Sequence, residues 1–139
     1  MHNKVSIWNS DFIKISSAKC EERCILYSAH IAYTSYENLI ILSGTVFSEI
    51  LLWKPYFIDE EGFSPILKRL KQHKGVIFHL DFCPNLGYIC SASDDRSAIL
   101  WEIDNKELLQ SLSPHNKDSL NVNLVKIPLC YFGDIMVFY

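Results

Sequence analysis

Three tryptophans close three similar phrases in this 139-residue chain: Val-Ser-Ile-Trp8, Ile-Leu-Leu-Trp53 and Ala-Ile-Leu-Trp101, spaced by 45 and 48 residues. Recurrence at this period confines the fold to few architectures, because a unit of roughly 40–45 residues cannot bury its apolar faces alone and must stack on its neighbours. The two later phrases agree over a longer stretch. Leu39-Ile-Ile-Leu-Ser-Gly-Thr-Val-Phe-Ser-Glu-Ile-Leu-Leu-Trp53 and Tyr88-Ile-Cys-Ser-Ala-Ser-Asp-Asp-Arg-Ser-Ala-Ile-Leu-Trp101 each run apolar, small, apolar. Apolar runs bounded by turn-forming residues read as buried strands, so each phrase reads as a hairpin. In the middle repeat, Gly44-Thr-Val-Phe is the expected turn.

The remaining strands follow from alternation and punctuation. Val76, Phe78, Leu80 and Phe82 fall on one face at strand period. Pro84-Asn-Leu-Gly87 turns the chain into the next strand. Residues 67–70 and 106–112 are more polar, as outer edge strands are; a short helix over residues 66–71 is the alternative reading. Four strands per Trp-ended unit predict an all-β, WD-type β-propeller fragment: about two complete four-stranded blades plus partial blades at both ends. The end of one blade is assigned to residues 1–15, whole blades to 20–70 and 73–112, and the start of another to 115–139, with strands at 122–127 and 134–139. A closed ring needs at least about four blades, so the chain reads as a portion of a larger propeller, its exposed edges making it poorly soluble or oligomeric alone.

His73, Ser91 (or Ser93), Asp95 and Trp101 are the polar residues expected to meet inside the last complete blade. Asp95 lies six residues before Trp101, at the tight turn. Its carboxylate would take an imidazole N–H from His73, with the serine hydroxyl and the indole completing a buried chain. The middle repeat has Phe47 in place of Asp95 and no matching histidine, so apolar packing alone is expected to hold it. A catalytic triad of Ser91, His73 and Asp95 is the rival reading. No Gly-x-Ser-x-Gly elbow or Gly-rich oxyanion loop accompanies it. His79 and Asp81 share a strand face without an identifiable third metal ligand, and Cys20 and Cys24 lack a second pair at matching spacing. No catalytic, cofactor or metal residue is therefore assigned.

A net charge of −3 argues against broad nucleic-acid binding. The one basic cluster, Lys68, Arg69, Lys71 and Lys74, is a weak candidate for RNA contact; the plainer reading is a solvated edge strand guarded by lysines. Five cysteines in no evident framework suggest reduced thiols. Neither a secretory segment nor an apolar run of spanning length is present, which predicts a cytoplasmic protein with no membrane partner.

The run Ser43-Gly-Thr-Val-Phe-Ser-Glu-Ile-Leu-Leu-Trp53, then Lys71-Gln-His-Lys-Gly-Val-Ile-Phe-His-Leu-Asp-Phe82, then Ser91-Ala-Ser-Asp-Asp-Arg-Ser-Ala-Ile-Leu-Trp101 resembles the WD-repeat regulatory subunit family of the eukaryotic tRNA wobble-ribose 2′-O-methyltransferase. The likeness is strongest over residues 39–103. It implies a non-catalytic scaffold without a cofactor, whose partners are the catalytic methyltransferase subunit and, through the complex, tRNA. The alternative is a generic WD-repeat interaction scaffold in a signalling or ubiquitin-ligase assembly.

Overall fold

The computed structural model describes residues 3–33, 39–56, 58–103 and 122–128. Among them are eleven strands and no helix. The strands are β1 (Lys4–Trp8), β2 (Lys14–Cys20), β3 (Leu26–Ala32), β4 (Ile40–Thr45), β5 (Glu49–Trp53), β6 (Phe63–Ser64), β7 (Ile66–Lys71), β8 (Ile77–Cys83), β9 (Tyr88–Ser93), β10 (Ser97–Ile103) and β11 (Val122–Pro128). They form a first sheet β1-β2-β6, a middle sheet β3-β4-β5-β7 and a last sheet β8-β9-β10-β11. The two four-stranded sheets are antiparallel throughout. The protein is all-β and has the sheet-on-sheet build of propeller blades.

Side-chain alternation along the central strands joins the sheets. Ile50 and Leu52 of β5 face one way and pack with Leu80, Phe82, Ile89, Ile99 and Trp101 of the last sheet. Leu51 and Trp53 face the other way and pack with Ala18, Cys20 and Val5 of the first sheet. A strand apolar on both faces is what an element between two sheets requires. The strand-rich Ile and Leu phrases before each tryptophan thus become the two faces of a blade.

The register corrects several sequence expectations. Residues 66–71 form strand β7 and not a helix, because Glu49 to Trp53 pair with them. The single face expected for Val76, Phe78, Leu80 and Phe82 is broken by a bulge between Ile77 and His79, so Ile77 joins Leu80 and Phe82 in the core. Gly44 lies in β4 and not in the turn. A Cβ there would stand 2.7 and 2.8 Å from Ile77 side-chain atoms, so glycine is what lets β8 press against the middle sheet. Strand β11, expected to open a further blade, pairs instead with β10, from Ser97↔Pro128 to Ile103↔Val122, as the fourth strand of the last sheet. The expected outer strand at 106–112 and the strand at 134–139 lie outside the described residues.

The loop expected over residues 59–65 has an unforeseen partner, the first sheet. After Trp53 the chain leaves the middle sheet, turns at Asp59 and sets β6 parallel to β2 of the first sheet, with Lys19↔Phe63 and Cys20↔Ser64. The Asp59 carboxylate accepts the Glu61 and Phe63 amides at 3.0 and 2.7 Å. Gly62 takes the left-handed φ of 85° that the turn needs. The Lys19 and Glu21 amides donate to Gly62 and Ser64 carbonyls, completing a strap across two sheets.

Candidate functional site

The turn between β9 and β10 is built by its own side chains. Asp95 accepts the Ser97 amide at 2.9 Å, while the Asp95 amide donates to Ser93 Oγ at 3.2 Å. Arg96 closes the turn at a left-handed φ of 62°. The loop before β8 supplies the histidine. Gly75 is required there, since a Cβ would stand 2.7 Å from the Asp95 nitrogen.

The structure brings His73, Ser91, Asp95 and Trp101 together. His73 Nδ1 lies 3.0 Å from Asp95 Oδ2 and Nε2 lies 2.7 Å from Ser91 Oγ. Trp101 Nε1 donates to Ser91 Oγ at 2.8 Å. One proton arrangement satisfies all four: the indole donates to the serine, the serine to Nε2, and Nδ1–H to the carboxylate. Asp95 also receives the Lys74 amide at 2.8 Å and the Ser97 hydroxyl. Burial pushes the Asp95 carboxyl upward, but the Ser97, Lys74 and His73 hydrogen bonds outweigh it and hold it well below the usual carboxylate range.

This connectivity is that of a hydrolase triad, yet the setting is not. Ser91 is 1% exposed, and its oxygen is committed to the Trp101 indole. A substrate carbonyl has no approach to it, so the trio fixes a turn to a strand. His79 and Asp81 are exposed, and Asp81 Oδ1 lies 3.7 Å from His30 Nε2 on β3. Among the described residues no cluster of three metal-binding side chains occurs, and Cys20, Cys24, Cys83 and Cys90 are free thiols.

The middle sheet does not rely on apolar packing alone, contrary to the sequence reading. Trp53 Nε1 donates to Ser43 Oγ at 3.0 Å, ten residues back, the same separation as Trp101 to Ser91. Thr45 Oγ1 accepts the Phe47 and Glu49 amides at 3.2 and 3.0 Å. One threonine thereby does the work that Ser93 and Asp95 divide between them. The signal for the serine was present: Ser43 and Ser91 stand equally far before their tryptophans. The place of His73 also has an occupant. The Asp94 amide bonds the Val76 carbonyl and the Val46 amide bonds the Ile25 carbonyl; three residues before each lie His73 and Glu22.

Glu22 builds a different network. Its Oε2 meets Arg69 Nη1 at 2.7 Å, and Arg69 also meets Glu49 at 3.0 Å. Lys71 Nζ lies 2.5 Å from Glu49 Oε1. Both carboxyls are held below the usual range: at Glu22 burial is outweighed by the Arg69 pair and the Cys24 and Arg23 amides, and at Glu49 the Lys71 hydrogen bond, with help from Arg69, exceeds the burial that opposes it. Two of the four cations singled out as RNA contacts, Arg69 and Lys71, are thus tied to carboxylates. Lys68 is half-buried and Lys74 exposed. Asn3, which no sequence pattern flagged, clips the same loop: its side chain bonds the Glu22 and Cys24 carbonyls and the Leu26 amide. Lys54 is 1% exposed with Nζ 5.3 Å from the Tyr56 ring centroid, and burial lowers its pKa to about 8.

Stacked four-stranded sheets, each with a serine-bound tryptophan and one with the His–Ser–Asp network, define the class: this is a stretch of a WD-repeat β-propeller. No family model matches the chain. It is 33% identical to the tRNA (34-2′-O)-methyltransferase regulator WDR6 of Drosophila melanogaster over 101 residues, 68% of this chain and 10% of that protein. The regulator of the same name from Mus musculus is 31% identical over 105 residues, 73% of this chain and 9% of that protein. The Homo sapiens regulator is 30% identical over 91 residues, 64% of this chain and 8% of that protein. The chain belongs to this family of WD-repeat regulators, and it spans about a tenth of the length of the relatives it matches. Among the described residues no helix is long and apolar enough to cross a membrane.

Proposed function

We propose that the chain is a non-catalytic part of a cytoplasmic WD-repeat regulator that binds the catalytic subunit of a tRNA 2′-O-ribose methyltransferase and helps position tRNA for modification of the wobble nucleotide. The observation that carries this reading is the similarity to regulators of that name over 68% and 73% of the chain. The site chemistry agrees with it: the Ser91–His73–Asp95 grouping is spent on holding a turn. Contact with tRNA runs mainly through the complex. Glu22 and Glu49 neutralise the middle of the basic strip, which leaves Lys68 and Lys74 as the weak direct contribution.

The test is capture from cells with the full-length regulator carrying this segment. Recovery of a ribose methyltransferase together with tRNA, and loss of wobble-ribose methylation when the gene is deleted, is the expected result. Recovery of signalling or ubiquitin-ligase components with intact wobble methylation in the deletion strain would replace this reading with a generic scaffold. Turnover by the isolated chain would overturn its non-catalytic part.

A further inference from the structure

We propose that the rings of Tyr27, Phe47 and Phe78, with Lys74 and Arg96 beside them, form a surface on which unpaired bases of a tRNA loop stack. The inference rests on the tRNA reading above and gives it a contact inside this chain. Two bulges create the surface. In β3 the register slips at Tyr27, with Leu26 opposite Thr45 and Ser28 opposite Gly44. In β8 it slips at Phe78, with Ile77 opposite Ser93 and His79 opposite Ala92. Thr45 and Ser93 each stand eight residues before their tryptophan, so the two bulges occupy one place in successive sheets. A bulge leaves its extra residue unpaired and re-aims its side chain. Here it turns out an aromatic residue twice, each time on the strand that edges its sheet. The two rings meet with centroids 5.9 Å apart and planes tilted by 60°. Phe78 is half-buried, whereas Tyr27 is 59% exposed.

Phe47 adds a third ring. The Val46 amide bonds the carbonyl of Ile25, two residues before Tyr27, which sets the β4–β5 turn against the entry into β3. Phe47 holds the place that Asp95 has in the last sheet, yet it does none of that residue's work, because Ser43 and Thr45 secure the middle sheet. Its ring is 72% exposed and belongs to neither buried cluster. Exposed apolar groups gathered at one place mark a contact site, and these are flat.

The charges around the rings select the ligand. Lys74, four residues before Phe78, and Arg96, in the β9–β10 turn, are exposed, and among the described residues neither meets a carboxylate. Nearby acidic groups are engaged within the fold. Asp95 holds His73, Ser97 and the Lys74 amide, and Glu22 and Glu49 hold Arg69 and Lys71. Asp94 remains exposed beside the cations. Of the basic strip seen in the sequence, the structure thus ties down Arg69 and Lys71 and leaves Lys74 on the loop that leads to Phe78. Exposed rings beside unpaired cations suit single-stranded RNA, whose bases stack while its phosphates meet the charges. Helical RNA does not fit, since its bases are already stacked on one another.

The test uses the full-length regulator carrying this segment, in complex with the methyltransferase, and reads tRNA affinity by filter binding. Tyr27→Ala and Phe47→Ala are each expected to weaken tRNA binding at least about fivefold, as the loss of one stacked base does, while Tyr27→Phe binds like the parent. Lys74→Gln should weaken binding and reduce the slope of log affinity against log salt by about one. These side chains are exposed, so the unfolding midpoint and the recovery of the methyltransferase should not change in any variant. p-Benzoylphenylalanine in place of Tyr27 is expected to crosslink to loop nucleotides of tRNA on irradiation. Parent-like affinity in either alanine variant, or crosslinks to protein alone, would overturn the proposal and leave the methyltransferase partnership standing. A parent complex that binds no tRNA would overturn both.

Discussion

A buried imidazole has two nitrogens to satisfy, and His73 satisfies them with Asp95 and Ser91. Removing the carboxylate strands several donors at once: the imidazole N–H, the Lys74 and Ser97 amides and the Ser97 hydroxyl. Asp95→Ala is therefore expected to cost about 3 kcal/mol, read as a lowered urea midpoint. The corresponding change in the middle sheet, Thr45→Val, strands two amides that water can partly reach and should cost about 1 kcal/mol. Equal midpoints for the two variants would refute the division of labour drawn here. The same carboxylate gives a pH dependence. Its folded pKa is depressed, so its contribution is fully present above about pH 5 and is lost as pH falls below about 4 towards the folded value. In Asp95→Asn that part of the acid slope should vanish, leaving the smaller share of Glu22 and Glu49, whose pKa values are lowered too. Residue type and spacing made His73, Asp95 and Trp101 findable in the sequence. Ser43 escaped because a lone serine between apolar residues is read as filler until its distance from the tryptophan is compared across repeats.

Strands were legible where they repeat and illegible where pairing is decided at a distance. The β4–β5 and β9–β10 hairpins announce themselves, since each is two apolar runs around a short turn. Nothing local says that residues 63–64 add to β2 or that 122–128 add to β10, because a pairing partner is chosen by tertiary contact and not by the strand's own composition. Gly44 misled for a related reason. Glycine signals a turn locally, whereas here it serves a neighbouring sheet. Gly44→Ala would push against Ile77 and Ser28, and overpacking of this kind costs roughly 1–3 kcal/mol. The expected signature is faster exchange in both β4 and β8, whose contact it pries open; acceleration confined to β4, with β8 unchanged, would contradict it. The strap is a separate element with its own test. Asp59→Ala deprives the Glu61 and Phe63 amides of their acceptor, so β6 should fray and the Lys19 and Glu21 amides should exchange faster while β4 and β9 amides keep their protection.

Among the described residues the three sheets stack side by side and share apolar faces with one another, and an arc of them has outward faces and edges that a ring would cover. On the first-sheet side these include the β1 edge, Trp8 and Ile31, the two side chains being 56% and 57% exposed. A net charge of −3 spread over 139 residues offers little repulsion to keep two copies apart. Self-association of the isolated chain is the expected consequence, and its location can be assigned. Trp8→Lys combined with Ile31→Lys places charge on the exposed surface without removing any buried contact of Trp53 or Trp101. Sedimentation over a concentration series should show oligomers for the parent chain and an association constant at least about tenfold weaker for the double variant. Oligomers that persist unchanged in the variant would move the sticky surface to the last sheet, and a parent chain that stays monomeric throughout would mean that the open side of the arc is already covered by the chain itself.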